Sequence, residues 1–550
     1  MDIQSELSRT FKGDLDTSPE TLDFYSHDAS LFELRPEIIA FPKDAEDVKA
    51  AVTFVLANKA TNPKISITPR SAGTDMSGGA INESIILDVS RHMKKITEIT
   101  PDFAQVQPGR LYREFDIETK KVDSILPSYP ASRGLASVGG MVSNNSGGEL
   151  GIRYGKTQRY VKELSVVLGD GNEYVVRPLT RQELDGKLAQ NDYEGELYRR
   201  TFELVEQHYD EIQMARPRVA KDSTGYRLWD LWNRETGIFD LTQLFVGAQG
   251  TLGIITDIKF KLVPNPMKNV GTLAVYVRNT ENLGAITEKI MSYNPFAAEV
   301  FDDKTLLLGM KFIFAFLSRM SFWQWLVMCV RLIPNGFAML RGIPKLVILI
   351  EFDGKDQAEV NKRVHEARLG LEQFTNISYM EEANTFAKAD KFWKMRQESF
   401  NLLRQKVKDK HTAPYIDDFV VPIDKMEELL PKLEAIIEKY ELMGTIAGHL
   451  GDGNFHIIPL MKIEDPKERA KIEPSMKEVY EAVLSLGGSL SGEHNDGLVR
   501  GPWLERMYGP TMLGYMREIK HLYDPQNIFN PNKKTDATWD YSFSKIRQKF

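Results

Sequence analysis

The chain is short of cysteine, of long apolar runs and, over one stretch, of acidic residues, and each shortage closes off a class of chemistry. Its 550 residues hold a single cysteine, Cys329. No disulfide can form within the chain, and no cysteine-ligated zinc or iron–sulfur centre can be assembled, so a reducing, cytoplasmic setting is expected. No uncharged apolar run reaches the length of about eighteen residues that a conventional membrane helix needs. The opening MDIQSELSRTFKGDLDTSPE is polar and acidic and lacks the apolar segment of a secretion signal. A net charge of −7 argues against a nucleic-acid partner. From Lys304 to Ile350 there is no Asp or Glu, only the basic residues Lys304, Lys311, Arg319, Arg331, Arg341 and Lys345 among runs such as SFWQWLVMCV. The pattern predicts a segment peripheral to a membrane, with Trp323 and Trp325 at headgroup depth. A buried helical hairpin is the alternative.

What is present reads as α+β, in more than one domain. Strand, turn and helix follow one another in PEIIAFPKDAEDVKAAVTFVLANK, with Asp44 opening the helix. SVVLGDGNEYVV reads as a hairpin about an Asp-Gly turn. Helical patterns cover roughly 180–215, 355–373, 383–408 and 423–441.

Two stretches resist a purely structural reading. TPRSAGTDMSGG follows a strand and leads into another, so it is neither a Walker A loop nor a dinucleotide fingerprint, yet its backbone N–H groups suit an anion. Residues 130–155 spend seven of 26 positions on glycine. A loop so poor in large apolar residues is expected to lie against a large flat ligand rather than fill a core. Near the C-terminus, GHLGDGNFH and SGEHNDG gather three of only nine histidines beside a glutamate. A hairpin about Asp452-Gly453 would bring His449 and His456 nearly opposite each other. With Glu493 they would make an open three-ligand metal site, zinc first, with manganese and iron left open by ligand type. Asp452 is expected to be a turn former.

Taken in order, PRSAGTDMSGG, SVGGMVSNNSGG, RYG, GAQGTLGIIT, GHLGDGNFH, SGEHNDG and NIFNPNK resemble the vanillyl-alcohol-oxidase type of FAD-dependent oxidoreductase. Within it, the chain is most similar to D-lactate dehydrogenases and their glycolate-oxidase-subunit and D-2-hydroxyglutarate-dehydrogenase relatives. The resemblance implies a two-part FAD-binding domain of the p-cresol methylhydroxylase (PCMH) type over 36–268 and an α+β cap of the FAD-linked oxidase C-terminal type over 269–534. The cap includes the basic insert 305–345; 1–35 form an extension and 535–550 a tail. It places Arg70, Ser71, Ala72, Gly73, Thr74, Asp75 and Ser77 at the FAD diphosphate. Pro130, Gly139, Gly140, Ser143, Gly148 and Tyr154 fall around the flavin, and Gly250 and Ile255 near the adenine. FAD is expected to be non-covalent, because residues 68–79 hold no histidine for attachment. Gln249 stands where relatives often have Glu.

The same resemblance puts a divalent metal, zinc in the first place, on His449, His456 and Glu493. It makes His494 the base and Arg396 the grip on a substrate carboxylate. Ile416 or Asp417 stands where some relatives carry a lysine, which favours a small monocarboxylate. The implied activity is oxidation of a D-2-hydroxy acid, D-lactate to pyruvate in the first place, by hydride transfer to flavin N5. Quinone or another carrier would take the electrons at the inner face of a membrane. Glycolate or D-2-hydroxyglutarate oxidation is the alternative within the family, and a metal-dependent hydrolase on His449, His456 and Glu493 the alternative outside it.

Overall fold

The computed structural model describes residues 2–265, 269–305, 343–383 and 409–549. The expected helix over 383–408, Arg396 and nearly all of the 305–345 insert lie outside them.

Short isoleucine-rich strands organise the first half. Ile38–Phe41, Ile85–Asp88 and Ile67–Arg70 pair in parallel, with Asp14–Asp16 antiparallel at the edge. Ile38–Phe41 and Ile85–Asp88 are buried at every position, as parallel strands covered on both faces must be. The crossover from the first of these strands runs through the helix Ala45–Asn58, whose N-cap Asp44 accepts the Asp47 amide. A second, antiparallel sheet runs in the order Ile96–Ile99, Phe103–Val106, Ile254–Lys261, Val161–Val167, Glu173–Val176. The last two strands form the hairpin about the first Gly-Asp-Gly.

The second half is built on a seven-stranded sheet. Its order is Ile377–Ala383, Val270–Val277, Leu346–Asp353, Ala297–Asp302, Ile446–His449, Asn454–Ile457, Phe419–Val420. One face carries Leu273, Val275, Ile348 and Ile350 against the helices Leu283–Ser292 and Gln357–Leu371, through Ile286, Ile290, Val360 and Val364. The other face carries Ala274, Tyr276, Phe301, Val347 and Leu349, with Ala447 packed beside them. Strands buried on both faces read as unbroken apolar runs, which is why VILIEF shows no alternation. The chain then returns: Leu504–Tyr523 sends Met512, Met516 and Ile519 into the core of the first half.

Two expectations change. The helical stretch at 180–215 is three helices, Arg181–Leu188, Tyr193–Gln207 and Tyr209–Met214. The glycine-rich stretch 130–155 is not wholly loop: Val138–Asn144 is helical, and its Val138, Met141 and Val142 are buried in the core. Among the described residues no helix is long and apolar enough to cross a membrane.

Ile348 lies at the centre of the larger sheet with no exposure. Ile348→Ala is expected to cost about 2–5 kcal/mol, read as a lower urea midpoint at unchanged slope.

Candidate functional site

A cavity of about 710 Å³ lies between the glycine-rich loops of the first half and the Ile446–His449/Asn454–Ile457 hairpin of the second. That volume is in the range of cofactor and substrate sites. Residues 70–75 form one wall. Among the described residues, no protein acceptor takes the backbone N–H of Ser71, Ala72, Gly73 or Thr74, a donor set that fits a diphosphate. Two side chains expected at that diphosphate are engaged elsewhere. The Arg70 guanidinium donates to the carbonyl of His27 at 2.9 Å and lies 4.9 Å from the Tyr25 ring, so it braces the loop. The Asp75 carboxylate accepts from the Gly79 amide at 2.6 Å and from Asn144 Nδ2 at 2.9 Å.

Pro130, Gly139, Gly140, Ser143, Gly250 and Ile255 also face the cavity, whereas Ser77, Gly148 and Tyr154 do not. Ser77 Oγ receives Gln249 Nε2 at 2.8 Å, and Tyr154 packs edge-on to Phe296. The other end of Gln249, Oε1, accepts the Gly497 amide at 2.8 Å. An amide there donates to one loop and accepts from another, which a carboxylate cannot do.

The histidine loops close the opposite wall, with His449, His456, Glu493 and His494 lining it. The hairpin pairs His449 with Asn454 and Ala447 with His456, so the two histidines sit diagonally rather than opposite. Their rings still converge, edge to face at 5.4 Å. Glu493 Oε1 stands 3.0 Å from His449 Nε2 and 3.2 Å from His456 Nε2. On the neighbouring strand Glu299 faces His449 and takes its Nδ1 at 2.6 Å, which leaves Nε2 for the shared position. Burial pulls the His449 pKa down, but Glu299 and Glu493 outweigh it and lift it to about 9. Burial pushes Glu493 up, and the charges of Lys221 and His449 hold it well below the carboxylate range instead. Two imidazole Nε2 atoms and one carboxylate oxygen, with an outer carboxylate fixing a tautomer, could hold a divalent cation. Asp418, His456 and His494 also lie within ligand distance of one another, but the Asp418 oxygens are already filled.

Those oxygens set the loop that carries the site. Asp418 is buried with a φ of 60°. Its carboxylate accepts the amides of Glu493 at 2.9 Å and His494 at 2.6 Å, the Ser491 hydroxyl at 2.7 Å and Asn454 Nδ2 at 3.0 Å. Next to it, Asp417 Oδ2 pairs with His494 Nδ1 at 2.6 Å, while its other oxygen and its carbonyl receive the fully buried Arg500. The His494 pKa feels both burial and the neighbouring carboxylates. Burial lowers it, but Asp418 and Asp417 raise it to about 9.

A polar run that sequence reasoning passed over, Lys221 to Gly225, stitches the first half to the same loop. Ser489 Oγ donates to Asp222 at 2.7 Å, the Ser223 amide to the Ser491 carbonyl at 3.0 Å, and the Gly225 amide to Asp496 at 2.7 Å. Lys156, buried, donates to the Gly492 carbonyl at 2.6 Å. Asp452 is more than a turn former: it is 4% exposed and pairs with Lys221 at 2.7 Å.

Replacing Asp418 by Ala strands four donors that now end on one carboxylate. Asp418→Ala is expected to lose about 3–5 kcal/mol in urea unfolding, with faster hydrogen exchange at the amides of Glu493 and His494.

The description "FAD binding domain" matches residues 36–177, and "FAD linked oxidases, C-terminal domain" matches residues 267–534. The chain is 28% identical over 532 residues to D-2-hydroxyglutarate dehydrogenase of Pseudomonas putida, covering 95% of this chain but 50% of that protein. It thus spans about half the length of the first curated relatives it matches. It is 28% identical to the glycolate oxidase subunit GlcD of Bacillus subtilis, with 92% and 91% covered, and 26% identical to D-lactate dehydrogenase of Archaeoglobus fulgidus, with 90% of each covered. Among solved structures, 4-ethylphenol oxidase from Gulosibacter chungangensis superposes with a TM-score of 0.68 at 16% identity, over 98% of this chain and 97% of that one, a likeness of fold. The chain thus joins an FAD binding domain to the C-terminal domain of FAD linked oxidases, the two matches together covering residues 36–177 and 267–534.

Proposed function

We propose that the chain is an FAD-dependent dehydrogenase of a small D-2-hydroxy acid, D-lactate in the first place. One observation carries this reading: His449, His456, Glu493 and His494 face the same cavity as the glycine-rich loops at 71–74 and 139–143. The metal-hydrolase alternative finds no support, since it leaves those loops without a task. Relatives named for D-lactate, D-2-hydroxyglutarate and glycolate share the family, and the preference for a small monocarboxylate such as D-lactate rests on Ile416 or Asp417 standing where some relatives carry a lysine.

In this reading the Ser71–Thr74 amides hold the FAD diphosphate, and FAD when bound supplies the acceptor for a hydride. His449, His456 and Glu493 would hold a divalent cation, zinc first, whose chemistry there is to polarise a 2-hydroxy carboxylate. The chain's own residues do the rest. Asp417 ties His494 Nδ1, so Nε2 is the atom that takes the substrate hydroxyl proton, and with the ring's pKa raised to about 9 it does so from the neutral form, which grows as pH rises toward that value. The same carboxylate then steadies the imidazolium that results. Arg396, outside the described residues, is assigned the substrate carboxylate. Quinone or another carrier is the proposed electron acceptor, reached from a membrane surface through the basic insert 305–345.

Mixing purified protein anaerobically with D-lactate is expected to bleach the flavin. In His494→Ala the flavin stays bound and the bleaching rate falls by about a hundredfold or more; an unchanged rate removes His494 from the role of base. Deleting 305–345 should move the protein from the membrane pellet to the supernatant, and persistent pelleting assigns docking elsewhere.

A further inference from the structure

Lys221 stands between the flavin-side loop and the histidine hairpin, with a side chain 1% exposed. Its Nζ lies 2.7 Å from Asp452 Oδ2, 3.9 Å from Glu493 Oε2 and 3.3 Å from the Gly148 carbonyl. Glu493 divides its oxygens accordingly: Oε1 faces His449 and His456, while Oε2 makes no hydrogen bond among the described residues and lies toward the ammonium. Gly151 closes the pocket from the flavin side. A Cβ there would lie 2.5 Å from Lys221 Cε and 2.9 Å from Asp452 Oδ2, so the glycine leaves room for the ion pair and little else.

We propose that Lys221 is a positioning residue of the cation site: anchored on Asp452, its ammonium draws one oxygen of Glu493 backward and so presents the other to the two histidines. The inference rests on the reading of His449, His456 and Glu493 as a divalent-cation site. Its physics is charge balance out of water. Two carboxylates share one buried ammonium, and at low effective dielectric each is held by it and kept from repelling the other. Without Lys221, Asp452 pushes Glu493 off its aim. Without the Asp452 charge, the ammonium turns wholly to Glu493 and competes with the cation. Without either charge, both disturbances vanish together, so the ligand set recovers. A residue needed only for folding does not behave this way, because its losses accumulate.

The test uses the FAD-loaded full chain with cobalt(II) as probe, measuring affinity by equilibrium dialysis and ligand geometry by visible absorption, with the flavin band reporting an intact fold. Lys221→Met and Asp452→Asn are each expected to weaken cobalt binding by roughly tenfold or more. The double variant returns to within about threefold of the wild type, a coupling of the usual size for touching residues. Lys221→Arg, which keeps the charge, retains most of the affinity. Should Lys221→Met fail to fold, Asp452→Asn still decides: cobalt bound as in the wild type overturns the proposal, as do losses that multiply in the double variant. A wild type that takes up no cobalt overturns the cation reading itself and this inference with it, whereas uptake that survives both single variants overturns the inference alone.

Discussion

A carboxylate buried away from water keeps its charge only when donors crowd around it, and Asp418 meets that condition with the backbone of the active loop itself. By drawing in the amides of Glu493 and His494, it fixes two side chains of opposite assignment side by side: one aimed at the histidine pair, the other at the cavity. Its φ of 60° is strained for a residue other than glycine, and the strain is located where orientation counts most. Asp417, one residue earlier, holds the His494 ring from below while Arg500 holds Asp417. The acids of IDDF are thus the support on which the site stands, although neither of them lines the cavity.

From that support the site spreads to both halves of the molecule. Asn495 Nδ2 reaches the Gly247 carbonyl and Gln249 the Gly497 amide, so the C-terminal loop is bonded to the turn that precedes the strand Ile254–Lys261. Lys156, Lys221 and Ser223 bind it from the other side. Such cross-bonding fixes the spacing between the glycine-rich loops and the histidines, the kind of preorganisation that transfer between two bound partners would need.

Much of this was legible in the sequence, for a physical reason. Histidine is rare here and glycine-rich loops cannot fill a core, so their concentration at 449–456, 493–494 and 130–155 marked places where the chain serves a ligand. The supports were not legible. A lysine or aspartate gives no local sign of being buried, and Lys221 finds Asp452 and Glu493 only after folding joins distant segments. One hint was available: two adjacent acids interrupt the apolar PYIDDFVVP just before the strand Phe419–Val420, and such local conflicts tend to mark functional places. The glycine-rich stretch misled in the other direction. Val138, Met141 and Val142 are spaced for a helix, but the surrounding glycines obscured them.

The central claim is that the α-hydrogen of a D-2-hydroxy acid leaves across this one cavity toward the flavin while His494 takes the hydroxyl proton. Anaerobic single-turnover reduction by D-lactate deuterated at its α-carbon, set against undeuterated D-lactate and L-lactate, tests it most directly. The account predicts flavin bleaching by the D-isomer alone, slowed by a primary isotope effect. Bleaching by both isomers alike, or a rate indifferent to the deuterium in a step limited by chemistry, would contradict it.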